Sequence, residues 1–112
     1  MKAIKAYIRC EKVGEVLDGL KEHGIEDISL IHVKGIGHLA HPQDCKYSIE
    51  DVTKYSEVGK IEIICRDDQY TNTIETLRQK AYTGMQGDGM IFVTEVMEAV
   101  KIRTGETGET AL

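Results

Sequence analysis

The chain has 112 residues, of which 41% are hydrophobic and 29% charged, with a formal net charge of -5. This length predicts one domain, residues 1–112, with a single modest core. No apolar run approaches the roughly 20 residues that a membrane span requires, which excludes direct membrane insertion. The acidic balance and the lack of a basic block argue against nucleic acid as a main partner.

The first residues and the cysteines predict a compartment. The segment MKAIKAYIRC has no apolar core or small-residue cleavage site of a signal peptide. Cys10, Cys45 and Cys65 are odd in number and lack CxxC spacing, which argues against a disulfide framework. We therefore expect a cytoplasmic protein with reduced thiols, in which Cys10 and Cys65 are small core residues on strands.

The first half of the chain reads as strand, helix and strand. Residues 1–9 alternate apolar and polar side chains, with the period of a half-buried strand. Between Val13 and Leu20 the apolar residues recur at three- and four-residue spacing, and Gly24 follows as a helix stop. Residues 28–33 then predict a second strand that ends at Gly35.

The second half repeats this order. KIEIIC, residues 60–65, predicts a strand, residues 70–81 predict a helix, and residues 89–95 predict a last strand. The order βαββαβ favours an α+β fold, a ferredoxin-like sandwich with a four-stranded antiparallel sheet and both helices on one face.

Between the halves, residues 35–59 form a segment much longer than the usual connection of about four to six residues. It contains the only proline, Pro42, and is not rich in glycine or serine as a plain linker would be. We interpret it as a protruding loop that can change conformation.

The stretch TGMQGDGMIFV, residues 83–93, carries three glycines, Gly84, Gly87 and Gly89, around Asp88. Such a cluster can be a tight hairpin turn. It can also let backbone amides come close to an anion, because glycine has no Cβ. Pattern alone leaves both interpretations open.

The longer segment TGMQGDGMIFVTEVMEAVKIRTGETGETAL, residues 83–112, resembles the carboxyl-terminal signature of the P-II signal-transduction proteins. MKAIKAYIR, VKGIG and KIEII fall where that family has its counterparts. The resemblance implies a homotrimeric regulator, used in nitrogen regulation, that binds ATP, ADP or AMP in clefts between subunits. It also implies a flexible loop that docks on a target such as a membrane transporter or a metabolic enzyme, with no obligatory cofactor.

The resemblance also implies which residues bind the nucleotide. Backbone amides of the glycine loop can donate to phosphate oxygens, and Lys101 and Arg103 supply positive charge. On a strand-like segment, alternating Lys101 and Arg103 would share one face. The residues carried over are Ser29, Gly35, Gly37, His38, Ile64, Gly87, Asp88, Gly89, Met90, Lys101 and Arg103.

The chain departs from the family pattern at several positions. Met90 stands where the family places a lysine after GDG, so we expect ATP to lose affinity relative to ADP or AMP. Leu39 and Val58 replace a magnesium-holding glutamine and a lysine, and neither can bind a hard cation or a carboxylate. Asp51 falls at the modified tyrosine, with Tyr47 and Tyr55 nearby. We therefore expect neither standard 2-oxoglutarate sensing nor standard uridylylation.

The loop also carries His38, His41 and Cys45, in the spacing H-x2-H-x3-C. Imidazole and thiolate ligands suit zinc, copper or nickel, although the spacing is not that of a closed zinc motif. Loop histidines and a single cysteine are more often plain solvent-facing side chains.

Two classes of function follow from these patterns. A regulatory binding protein is favoured, with control of carbon or metal homeostasis as the alternative to nitrogen control. A slow nucleotide-hydrolysing enzyme is less favoured, because no nucleophile has a base at motif spacing and the glycine loop lacks the Walker ending. The sequence names neither the target nor the effector that replaces 2-oxoglutarate.

Overall fold

The computed structural model of the chain describes residues 1–37, 46–47 and 54–112, with side chains described for 1–37 and 56–112. Its elements in chain order are β1 (Lys2–Arg9), a 3-10 turn (Cys10–Lys12), α1 (Val13–Glu22), β2 (Ile28–Gly35), β3 (Lys46–Tyr47), β4 (Lys54–Cys65), α2 (Asp67–Ala81), β5 (Gly89–Glu95) and a last 3-10 turn (Glu109–Ala111).

The sheet has β1 and β4 at its centre. Its order is β2-β4-β1-β5, and each neighbouring pair is antiparallel. The short β3 pairs with the beginning of β4. Four principal strands with two helices in the order βαββαβ confirm the predicted α+β, ferredoxin-like architecture.

One face of the sheet packs against both helices and forms the core. Directly opposed residues of antiparallel strands share a face, so Ile4 of β1 lies beside Ile63 of β4. Against them pack Leu20 of α1 and Leu77 of α2, which are 0% exposed. Burying a side chain of this size stabilises the fold by roughly 1.5 to 3 kcal/mol, so this face anchors both helices.

The other face of the sheet exposes large apolar side chains. Ile31, Ile64, Met90 and Phe92 are each between 41% and 48% exposed. The rings of Phe92 and Tyr7 form an edge-to-face contact with a centroid distance of 5.9 Å. No described helix packs over this face, which therefore remains the open face of the described chain.

Two element boundaries differ from the sequence-based prediction. The strand β4 begins at Lys54, so residues 54–59 are strand and not part of a loop. Its early part is paired, with Val58 opposite both Arg9 and Val33. The helix α2 begins at Asp67, three residues before the predicted start, because an acidic first turn suits the helix dipole although it has no apolar periodicity.

The two described cysteines differ from each other. Cys65 lies on β4 and is 1% exposed, which confirms it as a core residue, and burial raises the pKa of its thiol. Cys10 lies in the 3-10 turn after β1 and is only half-buried, so its prediction as a core strand residue is wrong. The strand ends at Arg9, where the alternating pattern of residues 1–9 also ends, so Cys10 lies just outside it.

Among the described helices, none is both long and apolar enough to cross a bilayer.

Candidate functional site

The glycine loop, residues 82–89, runs from the end of α2 into the first residue of β5. It connects a helix to a strand, so the interpretation as a hairpin turn is wrong. Gly84, Gly87 and Gly89 have φ angles of 84°, 97° and 107°, a region that residues with a Cβ rarely adopt. The three glycines are therefore required by the backbone path.

The carboxylate of Asp88 points back into its own loop. It accepts hydrogen bonds from the backbone N–H of Thr83 at 2.8 Å and of Gly84 at 2.9 Å, and from the hydroxyl of Thr83. Burial by itself raises the pKa of Asp88, but the hydrogen bonds from Thr83, Arg9 and Gly84 outweigh it and lower the pKa to about 2. Asp88 therefore stabilises the loop, while any contact with a ligand has to come from its backbone.

Arg9 completes this arrangement and was missed by the sequence analysis. Its side chain is 4% exposed, and its Nε lies 3.0 Å from Asp88 Oδ1. Its second guanidinium nitrogen donates to the backbone oxygen of Gln86 at 2.8 Å. An arginine that ends an alternating strand is the one available sequence signal, since such a residue has to find a partner when it is buried.

The loop leaves a backbone donor for a ligand. The amide of Gly87 donates to no acceptor among the residues that the structure describes. This single amide can donate to one oxygen of an anion such as phosphate. Met90 follows immediately and is 48% exposed, so the position after the loop offers no positive charge.

A cavity of about 400 Å³ lies at the β2–β4 edge of the sheet. Ser29 and Ile64, both among the residues predicted to bind the nucleotide, line it together, as do Glu62, Asp27 and the last residue, Leu112. A hydrogen bond from Lys60 lowers the pKa of Glu62. Two carboxylates repel an anion, so this cavity suits a neutral group with hydrogen-bond donors and a flat apolar surface.

The glycine loop and this cavity lie far apart within one chain. Gly89 pairs with Ile8 on the β5 edge, whereas Ser29 pairs with Glu62 at the β2 edge. Three strand spacings separate the two edges, which is about 14 Å, and the two sites are also offset along the strands by three residues, or about 10 Å. Within one chain, a ligand that contacts both would therefore have to span about 17 Å.

Lys101 and Arg103 do not lie on a strand, so the argument that alternation places them on one face is wrong. The backbone N–H of Gly105 donates to the oxygen of Lys101 at 2.8 Å, which closes residues 101–105 into a turn. The Nζ of Lys101 lies 3.5 Å from Glu106. Arg103 is exposed on the same turn and forms no ion pair with a described residue.

The remaining predicted residues divide between described and undescribed parts of the chain. Gly35 ends β2 opposite Ser56 and is buried, and Gly37 follows it with a φ angle of 77°. His38, His41, Cys45, Leu39 and Asp51 lie outside the described residues, as do the side chains of Tyr47 and Tyr55. Within the described ranges, no three histidine, cysteine or acidic side chains are grouped to hold a metal ion.

The fold and the loop define a small ferredoxin-like α+β protein in which a glycine loop precedes the last strand. A family model described as nitrogen regulatory protein P-II matches residues 1–106, so the chain belongs to the P-II family. The family carries a regulatory name, and the chain is a signal-transduction protein and not an enzyme.

Curated relatives agree with this assignment over full length. The nitrogen regulatory protein P-II of Azospirillum brasilense is 40% identical over 112 residues, and that of Mesorhizobium japonicum is 39% identical, each over 100% of both chains. Nitrogen regulatory protein GlnK of Escherichia coli is 35% identical over 116 aligned positions, again over 100% of both chains. These names favour nitrogen control over the alternative in carbon or metal homeostasis.

Proposed function

We propose that the chain is a homotrimeric P-II regulator that binds an adenine nucleotide between subunits and signals to a target transporter or metabolic enzyme through the segment between β2 and β4, residues 36–53. One observation carries the proposal above others. The amide of Gly87, which can donate to a phosphate, and the cavity that suits a neutral base lie at opposite edges of one sheet, and a second chain packed against the first could bring the two together.

The phosphate end is the glycine loop. Gly87 offers an amide, and Asp88 keeps its carboxylate turned inward, away from a bound anion. Arg103 adds an exposed guanidinium whose fork can reach two phosphate oxygens. These groups favour a phosphate-bearing ligand at the start of β5.

The base end is the cavity at the β2–β4 edge. Ile64 offers an apolar surface, and Ser29, Glu62 and Asp27 offer hydrogen-bond acceptors. A purine with an exocyclic amino group is flat, neutral and a hydrogen-bond donor, so it fits such walls. This chemistry favours adenine over a second phosphate at this edge.

Assembly is supported by apolar side chains that a single chain leaves exposed. Met97 is 98% exposed and Ile102 is 101% exposed, both in the segment after β5. Together with the large apolar side chains on the open face of the sheet, they are surface that a subunit interface could cover. Closed threefold packing would cover them.

The preference among ATP, ADP and AMP depends on the charged groups near the glycine loop. Met90 supplies no cation, and the charge of Lys101 is partly satisfied by Glu106. ADP or AMP should therefore bind at least as tightly as ATP. Val58 is 4% exposed and paired within the sheet, so it cannot serve 2-oxoglutarate as a lysine would, and no standard 2-oxoglutarate response is expected.

Calorimetry with ADP and GDP tests the proposal. ADP should bind with one site per chain, and GDP should bind much more weakly because its base carries a carbonyl where adenine carries the amino group. Arg103→Gln should weaken the binding of ADP without affecting the binding of adenosine. Lys21→Gln, on the exposed surface of α1, is the control, because it removes the same charge elsewhere. The absence of binding by ADP, AMP and ATP alike would refute the nucleotide site.

A further inference from the structure

We infer that Arg9 is a positioning residue that holds the glycine loop in its phosphate-receiving conformation and neutralises the one carboxylate within that loop. The inference rests on the proposed nucleotide site and adds a determinant of phosphate affinity outside the glycine-loop sequence.

Arg9 fixes the loop at two points. Its Nε contacts the Asp88 carboxylate at 3.0 Å, and another guanidinium nitrogen contacts the Gln86 backbone oxygen at 2.8 Å. The two acceptors flank Gly87, the residue whose amide has no acceptor among the described residues. A planar guanidinium can hold both acceptors at once, whereas a lysine ammonium is a single compact charge on a flexible stem.

The loop needs this restraint because its glycines leave it many alternative conformations. Fixing a residue's backbone costs roughly 1 to 2 kcal/mol, and glycine loses more freedom than any other residue. If the contacts of Arg9 and Asp88 already order the loop in the free protein, phosphate binding does not have to supply the free energy of ordering it. A disordered loop would offer the same amide with lower affinity.

Arg9 also offsets the negative charge of the Asp88 carboxylate in the loop. Asp88 is ionised at neutral pH, since its pKa is lowered to about 2, and it lies next to Gly87 and Gly89. An unpaired carboxylate there would repel a phosphate through a partly buried medium, where screening is weak. The guanidinium of Arg9, whose side chain is only 4% exposed, offsets that charge at 3.0 Å, although Glu11 also lies 4.0 Å from it.

The position of Arg9 in the sheet makes the restraint rigid. It is the last residue of β1, the strand that lies between β4 and β5. The preceding residue, Ile8, pairs with Gly89 at the end of the loop, and Arg9 itself pairs with Val58. The guanidinium is therefore anchored to the centre of the sheet and reaches across to a loop 79 residues away in sequence.

Calorimetry with ADP and adenosine on three variants separates positioning from general damage. In Arg9→Gln, ADP affinity should fall by roughly tenfold or more while adenosine affinity stays within about twofold, because only ADP uses the phosphate end. The ADP affinity of Arg9→Lys should lie between those of wild type and Arg9→Gln, since lysine keeps the positive charge but not the second contact. Arg9→Gln combined with Asp88→Asn should recover part of the loss, because the unpaired charge is gone.

Amide hydrogen exchange on the nucleotide-free protein gives a second readout. The amides of Thr83 and Gly84 should exchange faster in Arg9→Gln, whereas that of Ile4 in the centre of β1 should not change. Lys21→Gln is the control in both experiments, and light scattering checks that the assembly is unchanged.

The outcomes separate the two proposals. Wild-type ADP affinity in Arg9→Gln, or equal losses for ADP and adenosine, would overturn the positioning role alone. If the wild-type chain binds neither ligand, the proposed nucleotide site fails, and with it the phosphate role of Arg9.

Discussion

Gly89 lies so close to β1 that a Cβ placed on it would be 1.7 Å from the carbonyl oxygen of Tyr7. Its φ angle of 107° is a second reason why a side chain cannot be accommodated. The neighbouring atom is backbone of the strand between β4 and β5 and cannot move aside. The last glycine of the loop is therefore fixed by sheet packing, independently of any ligand.

Gly89→Ala should lower the free energy of unfolding by about 3 kcal/mol or more, since it combines backbone strain with a clash. Gly14→Ala is the matched control, because no atom lies within 4 Å of its added Cβ. That change lies on the exposed side of α1 and should be neutral or stabilising by up to about 1 kcal/mol. Urea denaturation at one protein concentration measures both, and equal stability of the two variants would contradict the clash.

A second prediction concerns acid stability. The pKa of Asp88 is about 2 in the folded chain against 3.8 for an unperturbed aspartate, so the folded value is depressed. Its contribution to stability is present above about pH 4 and is lost as the pH falls from 3.8 toward 2. The shift corresponds to about 2 kcal/mol, because each pKa unit is worth about 1.4 kcal/mol.

The measurement compares wild type with Asp88→Asn at pH 6, 4 and 2.5. The gap in the free energy of unfolding should narrow as the pH falls, since protonation of Asp88 makes the two proteins alike. Other carboxylates titrate in both proteins and cancel in the difference. A gap that does not change with pH would show that the Asp88 carboxylate is not held as described.

The parts of the fold that sequence predicts are those with strong periodicity. The strand β5 has the predicted bounds, and α1 ends one residue before His23, as the Gly24 stop indicates. The beginning of α2 and the early part of β4 were missed because Asp67 and Lys54 lie in polar stretches whose structure is set by a helix dipole and by strand pairing. Neither interaction requires a periodic arrangement of apolar residues, so the sequence shows no pattern at these positions.

The site shows the same limit. The glycines were identified because a positive φ angle has a residue preference, but the partners of the Asp88 carboxylate were not predicted and Arg9 was overlooked. The contact between Arg9 and Asp88 joins residues that are 79 positions apart in the sequence, and nothing local in either segment predicts it. The turn at residues 101–105 was read as a strand because alternation of two basic residues does not reveal the backbone bond from Gly105 to Lys101.

A third prediction concerns assembly. Light scattering should give a mass near three times that of the 12.5 kDa chain. Ile102→Asp should shift the mass toward the monomer, because it places a charge on a side chain that is 101% exposed in one chain and would be covered in the assembly. Lys21→Gln, on the exposed surface of α1, makes the same change in net charge and should leave the mass unaltered. A monomeric wild type at micromolar concentration would refute the trimer and the site between subunits.

The last prediction concerns Met90, the residue that follows the glycine loop. Met90→Lys adds a cation beside the phosphate end, where a charge-assisted hydrogen bond is worth roughly 1 to 3 kcal/mol. Calorimetry should therefore show ATP gaining about tenfold or more in affinity, ADP gaining less, and AMP changing little. Met85→Lys is the control, because Met85 lies on the same loop and is 52% exposed, so it adds equal charge at a different position. If the wild type already prefers ATP strongly, and 2-oxoglutarate tightens that binding further, then the absence of a cation at Met90 does not set the nucleotide preference.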